Sequence, residues 1–254
     1  MKMKYVITVW AVILLSFGMV GVAKAGTPGS LQLKARAGYS IGGTSPIPLP
    51  ETIRSIDGYS LTPSFVMGVD AMLPLSEKWG VATGLHFGNK GMKADVTTKA
   101  YRMEVVKGDQ KMAGLFTGHV SQKVTQWMLT LPVQATFSIG QKLTLKGGPY
   151  LSLLLSREFS GIASDGYLRK DIPTGPKILM GSKEGEWATY DFSDDMRRLQ
   201  FGVGVGADWQ VYKNFGVSAD LSWGLTGVFP GSFKTVEQAL YPIYGTIGVF
   251  YRIK

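Results

Sequence analysis

Cysteine is absent from this 254-residue chain, which excludes disulfides, thiol nucleophiles, cysteine-based metal sites and a lipid anchor on an N-terminal cysteine. Histidine is nearly absent, leaving only His86 and His119 as imidazole bases. Long apolar runs are scarce: beyond residue 25 no stretch is long enough for a spanning helix. A closed barrel is then the only form in which the remainder could cross a bilayer, because hydrocarbon offers no partner to a free backbone polar group. Dense Lys/Arg runs are also missing, despite a net charge of +9, which argues against nucleic acid as a partner.

The one long apolar run stands at the start. Lys2 and Lys4 precede an uncharged stretch from Tyr5 to Ala23, followed by Ala23-Lys24-Ala25 and Gly26. A basic start, an apolar centre and small residues at the minus-three and minus-one positions describe a signal peptide over residues 1–25. A retained membrane helix is the alternative, since the run is nearly long enough to span. Cleavage leaves residues 26–254 as one domain and lowers the net charge from +9 to +6, because Lys2, Lys4 and Lys24 depart with no acid.

What the chain has in quantity is alternation at period two. The clearest stretch is Leu199–Val211, with Leu199, Phe201, Val203, Val205, Ala207, Trp209 and Val211 on one parity. The other parity is Gln200, Gly202, Gly204, Gly206, Asp208 and Gln210. Successive strand side chains point to opposite faces, so one face is apolar and the other small or polar. Seven further stretches behave alike: 31–41, 64–73, 79–88, 127–137, 143–155, 215–223 and 243–253. The fifth strand in chain order, 143–155, carries Lys146-Gly-Gly-Pro149, where a bulge or kink is expected.

The connectors alternate. Residues 74–78, 138–142 and 212–214 are tight turns, whereas 42–61, 92–124, 157–196 and 226–240 are long and mixed in charge. Outer-membrane barrels have short periplasmic turns and long extracellular loops, and an eight-stranded barrel has seven connections in that order. A soluble lipocalin-type barrel has eight strands too, but nothing requires its loops to alternate so. Trp79, Trp127, Trp209 and Trp223 all fall on the apolar parity at strand ends, as two aromatic girdles would. The opposite parity holds Gly80, Gly84, Gly88, Gly202, Gly204, Gly206 and Gly216, too small to form a core but suited to a cramped lumen. The fold expected is all-β: an eight-stranded antiparallel up-and-down transmembrane β-barrel with short periplasmic turns and four long extracellular loops.

Candidate chemistry is sparse. His86 and Asp70 face the lumen from adjacent strands and could form half of a hydrolase or acyltransferase site, but no motif places a serine beside them. A hydrogen-bonded lumenal pair is the simpler account. His119 reads as a solvated loop residue. Lys34, Arg36, Lys146, Arg198 and Arg252 share the interior with Asp70, Asp208 and Asp220, either as a charged solute channel or as an ion-paired plug. An eight-stranded interior is only wide enough for side chains, which favours the plug. Gly181–Glu186 and Asp191–Asp195 are acidic, but the EF-hand calcium spacing is absent. Pro46, Pro48 and Pro50 mark an extended surface segment. Catalytic, cofactor-binding and metal sites are therefore expected to be absent.

Trp127-Met-Leu-Thr-Leu-Pro-Val133 followed by Lys146-Gly-Gly-Pro-Tyr-Leu-Ser-Leu-Leu154 resembles the "YLEIPLLLKY…GPYLGYLL" pairing of the PorT-like outer-membrane β-barrel family of Bacteroidota. Gly84–Met92 looks like that family's strand ending in Lys-Gly, and Phe201–Thr226 is similar to its penultimate hairpin closing on Tyr-Gly-Leu-Thr. Thr246-x-Gly248-x-x-Tyr251-x-Ile253 resembles the terminal signal read by the barrel assembly machinery, although Lys254 stands where an aromatic residue is common. The family tolerates proline at the place of Pro132, which implies a local break in pairing. The resemblance covers about residues 30–254 and describes a barrel, not a reaction. The lack of any catalytic constellation beside large loops points to a non-enzymatic outer-membrane protein with a structural or interaction role through those loops, and the resemblance adds a PorT-like role in secretion or envelope assembly. The partners expected are outer-membrane lipid from the apolar face, the assembly machinery from the terminal signal, and a protein or glycan from the long loops. A small-solute channel, or a barrel enzyme using His86 and Asp70, stands as the alternative.

Overall fold

The computed structural model describes residues 30–253 apart from Asp171, Lys234, Glu237 and Gln238. The expected signal segment, residues 1–25, lies outside the described residues. Those described form eleven strands: β1 (Gln32–Pro46), β2 (Ile53–Leu61), β3 (Phe65–Pro74), β4 (Trp79–Lys107), β5 (Gln110–Ile139), β6 (Leu143–Lys170), β7 (Lys177–Met180), β8 (Ala188–Asp191), β9 (Leu199–Tyr212), β10 (Phe215–Gly224) and β11 (Leu240–Arg252). Eight of them pair antiparallel in a closed ring, β1–β3–β4–β5–β6–β9–β10–β11, with β11 returning to β1. These are the eight expected strands.

Partner residues followed around the ring run Gln32, Met72, Ala82, Gln134, Gly148, Gly204, Ser222, Tyr244, and return to β1 at Gly42, ten residues further on. With a rise of about 3.3 Å per residue and about 4.8 Å between strands, that stagger tilts the strands by roughly 40°, within the range of closed barrels.

Three of the four expected loops are corrected. The first contains β2, which pairs along β4 from Met92 to Thr98. The second is not a loop: β4 and β5 continue through residues 92–124 as one hairpin, turning at Gly108-Asp109, where Gly108 has φ +59°. In the third, β6 runs on to Lys170, and β7 and β8 pair with its extension. Because β8 also bonds β4 at Val106, β4, β5, β6 and β8 form a second, smaller closure beyond the ring, here termed the head. The physical reason is that period two persists in Val120, Val124 and Met92, now with charged residues on the alternate positions.

The kink expected at Lys146–Pro149 is absent, since β6 pairs with β9 in one register from Leu143 to Leu153. Glycine there serves close approach instead: a Cβ on Gly148 would lie 2.2 Å from the Val133 carbonyl oxygen. The irregularity falls between Trp127 and Met128. Pro132 does interrupt pairing. The β4–β5 ladder skips from Thr83–Val133 to His86–Thr130 without losing register, and Thr83 Oγ1 donates to the Pro132 oxygen at 2.9 Å.

The two faces exchange character along the long strands. On β5 the outward residues read Phe137, Ala135, Val133, Leu131, Leu129 and Trp127, then Thr125, Lys123, Ser121 and His119. The inward ones read Thr136, Gln134, Pro132, Thr130, Met128 and Gln126, then Val124, Gln122 and Val120. Both sequences turn over beside Trp127. Within the ring the outside is apolar and exposed, with Val205, Trp209, Trp79 and Leu221 all more than half exposed. In the head the outside is polar and tied by cross-strand pairs such as Lys123–Glu158 at 2.9 Å and Ser121–Asp95 at 2.6 Å. The head's inside is the buried apolar core, including Met103, Val105, Phe116, Val120, Phe159, Leu168 and Tyr190.

Aromatic contacts mark both limits of the apolar band. Trp79–Phe137 and Phe215–Tyr251 pack at 4.8 Å near the short turns, and Phe65 and Phe87 flank Trp127 at 5.5 Å near the head. Val205 lies midway between Phe201 and Trp209 on this band. In vesicle-embedded protein, Val205→Arg is expected to lower the unfolding free energy by about 2–4 kcal/mol, as charges do on a lipid face at mid-depth. Unchanged denaturant midpoints would show that Val205 does not meet lipid.

Candidate functional site

Two interiors are candidates, and they have opposite chemistry. The lumen of the ring holds a compact ion-pair network. Arg36 Nε bonds Asp70 Oδ2 at 2.5 Å, and its Nη atoms reach Asp220 at 3.1 Å and Asp208 at 3.5 Å. Lys146 bonds Asp208 at 2.7 Å and Asp220 at 2.8 Å, and Lys34 bonds Asp208 at 3.0 Å. His86 Nε2 lies 2.6 Å from Asp70 Oδ1. Three bases thus balance three acids, with His86 at the margin, and β1, β3, β4, β6, β9 and β10 each contribute. Alternation aims these groups inward, and glycine makes the room: a Cβ on Gly84 would lie 2.3 Å from Asp70 Oδ1, and one on Gly206 2.1 Å from Asp220 Oδ1.

His86 and Asp70 are therefore brought together as expected, but Asp70 is shared with Arg36. Thr130, opposite His86 in the β4–β5 register, has its hydroxyl bonded to Ser152 at 2.7 Å. One member of the expected interior set is corrected. Arg198 is exposed beside the start of β9, because it precedes the alternating stretch. Arg252 keeps the expected inward face, opposite Lys34 in the β1–β11 register with its Nε buried, but at the short-turn end of β11 and outside the ion-pair network, its backbone N–H bonded to the Asn214 oxygen. Above the network, Lys90 Nζ sits 4.9 Å from the Tyr244 ring and 5.6 Å from the Tyr150 ring, within reach of Ser222 Oγ at 3.4 Å.

The second interior is a cavity of about 190 Å³ in the head, walled by β1, β2, β4 and β5 and by the aromatic cluster. Met92, Ala94, Val96, Met103, Val120, Phe159 and Phe192 line it. Phe159 and Phe229 meet edge to face at 4.8 Å, and Phe229 and Phe233 stack near-parallel at 4.7 Å, which stiffens one wall. Burial pushes the Tyr190 phenol above its ordinary pKa, and the Tyr59 phenol likewise. Tyr59 donates its hydroxyl to the Gly42 oxygen, holding β2 over β1. On the outer face Asp57 accepts from Ser55 at 2.5 Å and Thr97 at 2.6 Å, which hold its carboxyl below the usual range, and His119 stands 3.4 Å away.

Sequence reasoning did not find this cavity, because residues 92–124 read as a loop. The available signal was the continued alternation on both sides of the Lys107-Gly-Asp-Gln110 turn. Among the described residues no cluster of three or more His, Asp or Glu is arranged to hold a metal ion.

A closed antiparallel ring with an apolar outer band, aromatic rims and a polar lumen defines the class of outer-membrane β-barrels. The model of the outer membrane protein beta-barrel domain matches residues 24–230, and the chain belongs to that family. It is thus a protein of the outer membrane. Among solved structures, Ail of Yersinia pestis, the attachment invasion locus protein in complex with the heparin analogue sucrose octasulfate, is 11% identical with a TM-score of 0.39, over 89% of this chain and 100% of that one. Neisserial surface protein A is 11% identical with a TM-score of 0.33, over 88% and 97%. The translocator domain of autotransporter NalP from Neisseria meningitidis is 16% identical with a TM-score of 0.26, over 99% and 98%. No curated protein matches the sequence.

Asp208 joins three bases at once, so Asp208→Asn strands buried positive charge. A loss of about 3–5 kcal/mol in unfolding free energy is expected, read by tryptophan fluorescence in vesicles. Stability equal to the parent would mean that the network does not hold the barrel together.

Proposed function

We propose that this chain is a non-enzymatic, integral outer-membrane protein: an eight-stranded transmembrane barrel that anchors an extracellular binding head. In this reading the residue 1–25 segment is a signal peptide removed on export, and the short turns face the periplasm. The observation that carries the proposal is the division between the two interiors. The lumen is crossed by a charge-balanced network fed from six strands, beside a polar-lined cavity of about 120 Å³ that Arg36, His86, Lys90 and Asp220 line. The head, by contrast, has its own apolar core and an apolar cavity. Fixed ion pairs suit a stopper better than a conduit, because a permeant ion must leave its sites as readily as it enters them.

The partners that fit are outer-membrane lipid around the band, the barrel assembly machinery during insertion, and a protein or glycan at the head. The PorT-like resemblance supports membership of a Bacteroidota lineage and a role in secretion or envelope assembly. An enzyme built on His86 and Asp70 is disfavoured, since Arg36 competes for the carboxylate and the Thr130 hydroxyl is engaged elsewhere. A solute channel is disfavoured by the network itself.

Reconstituted in planar bilayers, the purified protein is expected to show no reproducible single-channel steps, while running at different gel positions unheated and boiled. Discrete steps would overturn the plug in favour of a channel. Monodisperse behaviour in plain buffer would overturn the transmembrane barrel.

A further inference from the structure

We propose that the head cavity is a binding site for a medium-length hydrocarbon chain, taken from the water outside as the tail of a soluble amphiphile. The inference rests on the reading of the head as extracellular and deepens it by naming a ligand class. Size comes first. A dry engineered cavity of about 150 Å³ holds benzene, so about 190 Å³ holds slightly more than one such ring, or a short run of methylenes. A membrane-lipid chain, which must fill half of a hydrocarbon layer about 30 Å thick, is too long for it.

Chemistry points the same way. The wall is chiefly Met92, Ala94, Val96, Met103, Val120 and Phe159. Of its polar groups, the Tyr59 hydroxyl is spent on the Gly42 oxygen and the Thr98 hydroxyl on the Gly118 oxygen at 3.3 Å, while the buried Thr44 Oγ1, with Ser45 and Gln122, leaves a minority of polar atoms in a mainly apolar wall. Water needs two to four polar partners to occupy such a space, so an apolar guest is favoured. Met92 and Met103 bring flexible, polarisable side chains that adapt to the guest.

Position and access complete the case. Leu49, Ile56 and Tyr59 line the cavity and are also about half exposed, so its mouth has an apolar rim open to the surroundings. That rim lies on β2 and the segment before it. β2 pairs with β4 only from Met92 onward, past the point where the outward face has become polar. The mouth therefore opens on the aqueous side of the apolar band, where a soluble amphiphile can insert its tail and leave its polar end in water.

The test uses full-length mature protein, refolded and held in amphipol without lipid, titrated calorimetrically with sodium octanoate. A saturable one-site isotherm is expected, weakened at least tenfold in Ala94→Phe, whose ring occupies the cavity. Val96→Phe, on the same wall, serves if Ala94→Phe does not fold. A parallel titration with a long-chain phosphatidylcholine is expected to show no saturable site. Absence of a saturable octanoate isotherm in heat-modifiable parent protein, or an isotherm equal in both variants, overturns the proposal. Saturable binding of the phospholipid but not octanoate overturns the soluble source. None of these results bears on the membrane barrel, which fails through detergent-free solubility, or on the plug, which fails through channel steps.

Discussion

Thirteen residue pairs join β1 to β11, from Lys34–Arg252 to Pro46–Leu240, and everything else depends on that closure. In hydrocarbon a free strand edge would leave backbone groups without partners, each costing several kcal/mol. An open sheet of these sequences could not remain in lipid, however apolar its face. Closure with a stagger of ten residues also fixes the tilt and the width, and hence the crowding of the lumen. The glycines follow from that crowding, as Gly84 and Gly206 stand where side chains would collide with Asp70 and Asp220.

Closure also explains why two interiors of opposite chemistry coexist in one set of strands. Within the lipid-facing band, burying apolar groups inside gains little over leaving them in hydrocarbon. The interior can therefore be polar, provided that each charge finds a partner. Beyond the band, water surrounds the strands and the hydrophobic effect acts again. The same inward parity must then carry Val124, Val120 and Phe116, while Lys123 and Glu158 pair outside. The head is a soluble-type β-structure built on the continuation of membrane strands.

Much of the ring was legible in the sequence, because period two and rim tryptophans report directly on faces. Leu199–Val211 is the clearest case, where every assigned outward residue is exposed or partly so. The His86–Asp70 contact followed from parity alone. The head was not legible. Its alternation combines charged outward residues with an irregularity near Thr98 and a left-handed Ala100 at φ +53°, which together break the pattern where its chemistry has already reversed. Arg198 shows the opposite failure: an arginine next to an alternating strand was counted as part of it, although the inward series begins only at Gln200. Long-range partners, such as β8 bridging β4 and β6, have no local signature at all.

The central claim is that both faces of the long strands change character together beside Trp127. Because the chain has no cysteine, single cysteines can be placed along β5 and spin-labelled in vesicle-embedded protein. Collision with oxygen, which favours lipid, is then compared with collision with a water-soluble nickel chelate. The account predicts that labels at Leu129, Leu131, Val133 and Ala135 respond to oxygen, and that labels at Lys123 and Ser121 respond to nickel, with the change between Trp127 and Thr125. Nickel access at Leu131 and Val133 equal to that at Lys123 would contradict it.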